Sequence, residues 1–296
     1  MLEFKEVELE DRGIIQKYLA QERFFISDVS FVNLFLWRKA RKIAYAIVCD
    51  CLLIQTTYAG ENPFYFFPIG AGDKKRVVEL LLEQDSALEF HSLELVWVEF
   101  LREHFAGVFD FELNRDRSDY VYDVQELISL SGRKYHKKKN HLNKFLQTYP
   151  QFVFECISVE NSAEVLGVWG EWFGMIEAPS VGLVNENLGI VEVLGAWGEL
   201  PIEGGLVRVD GRIVAFSFGE VMSEQMAVIH IEKADSSVAG AYQIINQQLL
   251  ANVFSHVKYA NREEDLGIEG LRRAKMSYNP VFLVEKYEAR KKHWHS

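Results

Sequence analysis

Hydrophobic and polar positions in the first 130 residues switch repeatedly between a helical period and a strand period. Ile14, Ile15, Tyr18 and Leu19, for example, recur at helical spacing. The predicted elements are a helix over Leu9–Gln21, a second helix from a cap at Ser27 or Asp28 to Trp37, a hairpin of Ile43–Val48 and Cys51–Thr57, an aromatic strand over Pro63–Pro68, a helix after the turn Gly70–Asp73, a strand over Leu93–Val96, a helix over Trp97–Phe105, and closing strands over Phe109–Leu113 and Tyr120–Val124.

The second half of the chain shows the same switching more clearly. Asp210-Gly211 is a strong turn signal between two strands, and Val238–Phe254 carries its apolar positions on one helical face. The predicted elements are a strand over Phe152–Ile157, helices over Ala163–Met175 and Asn187–Trp197, a meander of Gly204–Val209, Ile213–Val221 and Gln225–Lys233, a helix over Val238–Phe254, a strand over Val257–Ala260, a helix over Ile268–Tyr278 and a last strand over Val281–Tyr287.

Length and element order together predict two domains. A single core rarely grows beyond about 250–300 residues, and this chain has 296. We predict a first domain over residues 1–130, a basic helical bridge over 131–150 and a second domain over 151–296. The order of two helices, a meander, a helix, a strand, a helix and a strand is similar to the acetyltransferase-like fold called GNAT. The expected class is therefore α/β (α+β), with two tandem GNAT-like acyltransferase domains.

Composition narrows the functional classes. The net charge of −11 makes the chain as a whole a poor general binder of nucleic acid or anionic membranes. Three cysteines without Cys-x-x-Cys spacing argue against a disulfide framework and a zinc knuckle. No apolar run approaches the roughly 18 residues that cross a bilayer. Met1–Glu10 also lacks the features of a signal peptide, so we expect a cytoplasmic protein.

One segment departs from the acidic average. No acidic residue lies between Glu126 and Glu155, and the basic residues there are Arg133, Lys134, Lys137, Lys138, Lys139 and Lys144. A positive strip of this kind suits a phosphate-rich donor such as the acceptor stem of a tRNA. A solvated helix face between the domains is the alternative that the pattern leaves open.

Five segments carry a resemblance to a known family. They are Ser131–His141, His230–Ala234, Gly240–Asn246, Asn261–Gly267 and Leu271–Lys275. In combination they resemble a bacterial family of uncharacterised proteins that is related to the C-terminal domain of phosphatidylglycerol lysyltransferases and, more distantly, to the Fem peptidyltransferases. The resemblance implies a tandem GNAT-like fold and an aminoacyl-transfer ancestry.

The implied fold suggests roles for individual residues. In a GNAT-like domain the strand that here ends at Glu232-Lys233 lines the reaction centre, so Glu232 is a candidate proton acceptor and Tyr278 a second one. Candidate donor- or anion-binding residues are Arg133, Lys137, Lys138, Lys139, Gly240 and Ala241. Candidate substrate-binding residues are Lys233, Tyr242, Asn246, Arg262, Asp265, Arg272 and Lys275. Ordinary ion pairs and a helix-dipole role for the acids before Gly267 stay open as structural alternatives.

The same resemblance bears on the donor and the reaction. Ala239 stands where acetyl-coenzyme A enzymes have the first glycine of a pyrophosphate loop, and its side chain obstructs a close approach of phosphate. We expect aminoacyl-tRNA, or else acyl-coenzyme A, as donor, and a small-molecule or peptide amine as acceptor. The expected function is acyl or aminoacyl transfer by direct attack. A non-catalytic binding or regulatory module and a coenzyme A-dependent N-acetyltransferase are the alternatives. His293 and His295 form a single His-x-His pair, and we predict no metal site.

Overall fold

The computed structural model describes residues 2–292, and the chain divides into two compact units. The first unit runs to Asp119 and takes up the chain again from Val284, whereas the second unit is Tyr120–Leu283. The basic segment predicted as a bridge over 131–150 thus lies inside the second unit. The residues that follow Leu283 belong to the first unit and not to the predicted second domain of 151–296.

The first unit is a mixed α/β structure around one seven-stranded sheet of order β1-β2-β3-β4-β5-β14-β6. Its buried core includes Val77, Val78 and Leu81 of helix α3. The elements of this unit are β1 (Lys5–Glu6), α1 (Arg12–Leu19), α2 (Phe31–Trp37), β2 (Ala44–Val48), β3 (Cys51–Thr56), β4 (Phe64–Tyr65), α3 (Lys74–Gln84), β5 (Glu89–Leu93), α4 (Leu95–His104), β6 (Phe109–Leu113) and β14 (Tyr287–Lys291).

The second unit is built on another seven-stranded sheet, of order β13-β7-β12-β11-β10-β9-β8. Helix α9 packs on it with Ile244, Ile245 and Leu249 in the core. The elements of this sheet and its helices are β7 (Asp119–Asp123), α5 (Val124–Ser129), α6 (His136–Thr148), β8 (Val153–Cys156), α7 (Ser162–Gly174), α8 (Val181–Gly195), β9 (Glu203–Val209), β10 (Arg212–Ser223), β11 (Met226–Ala234), α9 (Ala241–Asn252), β12 (Tyr259–Asn261), α10 (Glu269–Met276) and β13 (Phe282–Val284).

Two strands lie in a different sheet from the predicted one. Tyr120–Val124 was expected to close the first domain, but β7 pairs with β12 in the second sheet. The single strand expected over Val281–Tyr287 is two strands, β13 and β14, and β14 pairs with β5 and β6 in the first sheet. Hydrogen-bond pairing between distant segments decides sheet membership, and local periodicity carries no information about it.

The start of α2 also differs from the prediction. Ser30 caps the helix by accepting a hydrogen bond from the Asn33 amide, whereas Ser27 or Asp28 was expected there. The Ser27 hydroxyl instead donates to Asp119 at 3.0 Å, and Asp28 pairs with the buried Lys286. Both side chains therefore belong to a buried polar cluster of the first unit, and the next serine, Ser30, caps the helix instead.

The second sheet opens where its two parallel strands meet. Strand β11 pairs with β12 only over Met226–Val228, opposite Tyr259–Asn261. Beyond Val228, β11 continues to Ala234 without that partner. The gap lies beside α9, which connects the two strands in sequence. This is the separation that the GNAT-like element order predicts.

A β-bulge at His230 redirects the end of β11. Gly219 of β10 pairs with Ile229 and Phe218 pairs with Ile231, so His230 has no residue opposite it on β10. An extra residue in one strand reverses which face the following side chains occupy. Glu232 consequently contacts α9, on the same side of the sheet as Ile229. Gly219 permits the bulge, because a Cβ at this position would meet the Val228 carbonyl oxygen at 2.0 Å.

Gly219→Ala is expected to lower the free energy of unfolding by about 2 kcal/mol or more, because the added methyl group forces the two strands apart. Gly167→Ala is the control, since nothing lies within 4 Å of its added Cβ, and in helix α7 it should stabilise by roughly 0.5–1 kcal/mol. Urea unfolding measures both. Equal effects of the two substitutions would contradict the close contact at Gly219.

Candidate active site

One ion pair spans the gap between β11 and β12. Arg262 Nη2, just after β12, donates to Glu232 Oε1 at 3.0 Å, and Asn246 Nδ2 on α9 donates to Glu232 Oε2 at 3.0 Å. The side chains of Glu232 and Arg262 are each 13% exposed. Both oxygens of the carboxylate therefore have partners, and the pair is shielded from most of the solvent. The structure brings together three residues that were predicted separately.

The second terminal nitrogen of Arg262 has no partner of its own. Nη1 is buried and makes no hydrogen bond within residues 2–292. The guanidinium carbon lies 4.9 Å from the ring centre of Tyr278 and 5.6 Å from that of Tyr122. A buried charged donor without an acceptor is unfavourable, so this nitrogen is suited to receive an oxygen atom of a ligand.

Lys138 brings a second positive charge to the same place. Its Nζ lies 4.0 Å from the ring centre of Tyr278, and the side chain is half-buried. Burial lowers the pKa of Lys138 and the Arg262 charge lowers it further, while Glu232 acts in the opposite direction. No carboxylate pairs with Lys138 in the described part of the chain. The site thus holds two cations and one anion, a balance that favours an electron-rich ligand.

Tyr278 is buried between these groups. Burial raises the pKa of its hydroxyl, Arg262 opposes that effect, and Glu232 adds to it. The hydroxyl receives a long contact of 3.5 Å from Gln243 Nε2. With a raised pKa, Tyr278 keeps its proton at neutral pH, so it can donate a hydrogen bond more readily than it can act as a base.

Most of the predicted basic strip lies away from this site. The 3₁₀ turn Arg133–Tyr135 leads into α6, and Arg133, Lys137 and Lys139 are exposed. Helical spacing turns only Lys138 of these four residues towards Tyr278. The strip therefore has one side chain in the site and several on an accessible positive surface.

Helix α6 packs closely against Gly240 at the start of α9. This residue has φ +88°, and a Cβ there would meet the His141 carbonyl oxygen at 2.6 Å and Phe145 Cβ at 2.8 Å. Ala241 is buried in the core. The glycine thus allows helix α6 to approach closely, which is a packing reason for its presence.

Lys233 and Tyr242 border the site without joining the ion pair. Lys233 Nζ lies 2.6 Å from Glu186 on α8 and 5.1 Å from the ring centre of Trp169 on α7. Tyr242 is 42% exposed on α9. Burial of its hydroxyl, and secondarily the Glu232 charge, raises the pKa of Tyr242.

Three other predicted substrate-binding residues hold the turn after β12. Asp265 is fully buried and accepts hydrogen bonds from Arg272 at 2.8 and 2.9 Å. Although burial raises its pKa, the bonds from Arg272 and Tyr120 hold the pKa of Asp265 well below its usual range. Lys275 Nζ donates to the backbone carbonyls of Arg262 and Glu263. In this structure Asp265, Arg272 and Lys275 position Arg262.

A buried histidine beside the site was not assigned a role from the sequence. His230 Nδ1 lies 2.8 Å from Glu263 and its Nε2 lies 2.9 Å from Glu220. Burial lowers the pKa of His230, but the bonds to Glu220 and Glu263 outweigh it and raise the pKa to about 9. The polar residue inside an apolar strand was a signal, but its two partners lie far away in sequence.

The described residues contain neither a candidate metal site nor a helix that could span a membrane. Within residues 2–292 no group of three or more His, Cys, Asp or Glu side chains is placed to hold a metal ion. His293 and His295 lie outside the described residues. Over the same range, no helix combines the length and the apolar character that spanning a bilayer requires.

Comparison with known proteins relates the chain to one family. The family described as phosphatidylglycerol lysyltransferase, C-terminal, matches residues 20–290. A curated uncharacterised protein of Mycoplasmoides gallisepticum is 26% identical over 200 residues, which cover 66% of this chain. The match spans only 61% of that relative's length.

Solved structures agree with this relationship. A conserved protein of unknown function from Bacteroides thetaiotaomicron is 34% identical over 99% of this chain and 100% of its own, with a TM-score of 0.89. The structure of L-PGS from Bacillus licheniformis is 16% identical, covers 98% of this chain and 94% of its own, and has a TM-score of 0.66. FemX, at 10% identity and 97% coverage of each chain, has a TM-score of 0.53. The predicted α/β (α+β) fold with tandem GNAT-like domains is confirmed.

The His230 cluster predicts a specific pH dependence of stability. Because the folded-state pKa of about 9 lies above the unfolded value of 6.5, the contribution of His230 is complete below pH 6.5. It is lost as the pH rises through 9. His230→Gln should therefore reduce the fall in unfolding free energy between these two pH values, as measured by urea titration. His256→Gln, at an exposed histidine of the same unit, is the control. An identical fall in wild type and His230→Gln would refute the assignment.

Proposed function

Because the chain belongs to the family described as phosphatidylglycerol lysyltransferase, C-terminal, we propose that it is an acyl or aminoacyl transferase that passes an activated acyl group to an amine. The observation that carries the proposal is the gap between β11 and β12 with its buried, unpartnered Arg262 Nη1. The gap gives an acyl group a place beside the sheet, and the nitrogen gives its carbonyl oxygen a charged donor.

The proposed reaction is a direct attack without a covalent enzyme intermediate. The acceptor nitrogen forms a bond to the carbonyl carbon of an ester donor, and the ester C–O bond breaks. The proton released by the nitrogen ends on the leaving oxygen, which gives an amide and an alcohol. Arg262 Nη1 would donate to the carbonyl oxygen as negative charge develops there, in a site sheltered from water.

The contacts favour different roles from those first predicted for the acid–base groups. Glu232 engages both oxygens with Arg262 and Asn246, so we assign it to orient the guanidinium. Tyr278 would donate a hydrogen bond, because its raised pKa keeps it protonated. Lys138, whose lowered pKa gives it access to the neutral amine, is the proposed acceptor of the proton from the attacking amine when it is in that neutral form.

An aminoacyl-tRNA is the proposed donor. Arg133, Lys137 and Lys139 present positive charge to solvent next to Lys138, and such charges bind RNA phosphates. Close packing of α6 on Gly240 works against the pyrophosphate of coenzyme A at the start of α9. The carboxylate of Asp235, which accepts from Ser237 in the same loop, would repel phosphate as well. The proposed acceptor is a small-molecule or peptide amine.

The donor proposal predicts salt-dependent binding of charged tRNA. Lys137→Gln/Lys139→Gln should weaken the binding of bulk aminoacyl-tRNA and reduce the slope of log affinity against log salt by roughly one to two. Arg212→Gln/Lys258→Gln removes the same charge from exposed positions of the same unit and should change neither. Deacylated tRNA and acetyl-coenzyme A complete the series. Retention of coenzyme A alone would favour the N-acetyltransferase, and binding of no donor would favour the non-catalytic module.

The catalytic proposal predicts that turnover depends on Arg262. With a donor identified by binding, Arg262→Gln should lower kcat by roughly 100- to 1000-fold, as for the loss of an oxyanion donor. Arg208→Gln is the control, because Arg208 already pairs with Glu155 and Glu164. The double variant Glu232→Gln/Arg262→Gln removes both charges of the ion pair together, so its urea midpoint separates lost turnover from lost folding. Near-normal turnover in both Arg262 variants would disprove the role.

A further inference from the structure

The first unit contains a polar cavity that takes no part in the proposed transfer reaction. Its lining comes from the first unit throughout and includes Arg41, Tyr58, Phe64, His91 and Arg117. The empty space amounts to about 330 Å³, including the part that is open to solvent. Because the cavity opens to solvent, a ligand can reach the side chains that line it.

Arg41 is the most unusual side chain of the cavity. The residue is 9% exposed, and its guanidinium carbon lies 4.7 Å from the ring centre of Trp37 and 5.9 Å from that of Tyr58. Its described contacts are with these aromatic rings, and no carboxylate or other hydrogen-bond acceptor in residues 2–292 pairs with the guanidinium. A guanidinium group is charged at any ordinary pH, and a nearly buried charge without a partner is stabilised by a bound anion.

The acidic residues around the cavity are already committed to other cations. Asp28 pairs with Lys286, and Glu288 pairs with Arg290 and accepts from Asn114. In the described residues neither carboxylate forms an ion pair with Arg41. Asp119 also pairs with Lys286, so two carboxylates share that one cation, and Arg41 is left without a carboxylate of its own in the described residues.

A second guanidinium converges on the same tyrosine. Arg117 Nη2 donates to the Tyr58 hydroxyl at 2.7 Å, while Arg41 lies over the ring of that residue. Two arginines at one wall give the geometry in which carboxylate and phosphate oxygens are bound. Tyr58 thus holds one arginine by its hydroxyl and the other by its ring.

The remaining wall of the cavity is aromatic, so it suits the apolar part of a ligand. Phe64 and His91 stack with their ring centres 4.0 Å apart and an interplanar angle of 13°. Ser92, next to His91, has φ +53°, a left-handed conformation that a serine adopts at a cost of about 1 kcal/mol. Flat rings beside convergent cations are the features of a small-molecule site.

We propose that this cavity binds a small carboxylate- or phosphate-bearing molecule, with its anionic group at Arg41 and its body against Phe64. The proposal does not depend on the reaction assigned to the second unit. It gives the first unit a ligand of its own.

Calorimetric titration of the whole protein with inorganic phosphate, benzoate and benzamide tests this site. At least one of the two anions should bind, and neutral benzamide should bind roughly tenfold more weakly or not at all, because it offers no charge to Arg41. Binding of phosphate alone identifies a phosphate-bearing ligand, and binding of benzoate alone identifies a carboxylate. Benzamide binding as tightly as benzoate, or no binding of either anion, would overturn the proposal.

Variants locate the binding. Arg41→Met should abolish it while its unbranched side chain keeps contact with Trp37, and the exposed control Lys39→Met should leave it unchanged. Should Arg41→Met fail to fold, Arg41→Lys decides. It keeps the charge but loses the planar fork, so affinity should fall by roughly tenfold. Undiminished anion binding in Arg41→Lys, or in folded Arg41→Met, would place the ligand elsewhere and reject the site.

Discussion

The ion pair between Glu232 and Arg262 is the interaction on which the second unit's site depends. It spans the gap where β11 leaves β12, and a charge pair so largely withdrawn from water needs further hydrogen bonds to offset the cost of burial. Asn246 donates to the second oxygen of the Glu232 carboxylate, and the ring of Tyr278 packs against the Arg262 guanidinium. Lys275 donates to the backbone carbonyl of Arg262. These contacts hold strands β11 and β12 and helices α9 and α10 in place around the gap. One guanidinium nitrogen is left over in an enclosed place, and that nitrogen gives the gap its chemical character.

The bulge in β11 makes this arrangement possible. The extra residue, His230, changes the face on which Glu232 emerges, and it places its own imidazole between Glu220 and Glu263. Two carboxylates around one imidazole favour the imidazolium, so a positive charge is buried immediately beside the site. Glu263 directly follows Arg262 in sequence. The histidine cluster and the ion pair consequently hold the same short stretch of backbone from two sides, and a disturbance of one should be felt by the other.

The two units, each taken by itself, share one electrostatic feature. In the second unit, Lys138 and one nitrogen of Arg262 have no acidic partner in the described residues. In the first unit, Arg41 likewise has no acidic partner in the described residues, because the surrounding acids pair with other cations. An acidic protein with a net charge of −11 thus keeps a few positive groups uncompensated in sheltered places. Such groups bind anions selectively, because the acidic remainder of the surface repels polyanions elsewhere.

Most local elements of the fold, and several residues of the candidate site in the second unit, could be predicted from the amino-acid sequence. The turn at Asp210-Gly211, the central helix and the basic helix follow from short-range periodicity and turn chemistry. The motifs also made Glu232 and Tyr278 candidate acid–base residues and Asn246 and Arg262 candidate substrate-binding residues, without indicating that they contact one another. Tertiary structure alone decided that Lys138, among the basic residues, reaches the site, that His230 forms a bulge, and that β14 joins the first sheet. It also revealed the isolated charge of Arg41. Each of these features depends on contacts between residues far apart in the chain, and local propensity specifies a conformation without specifying its partner.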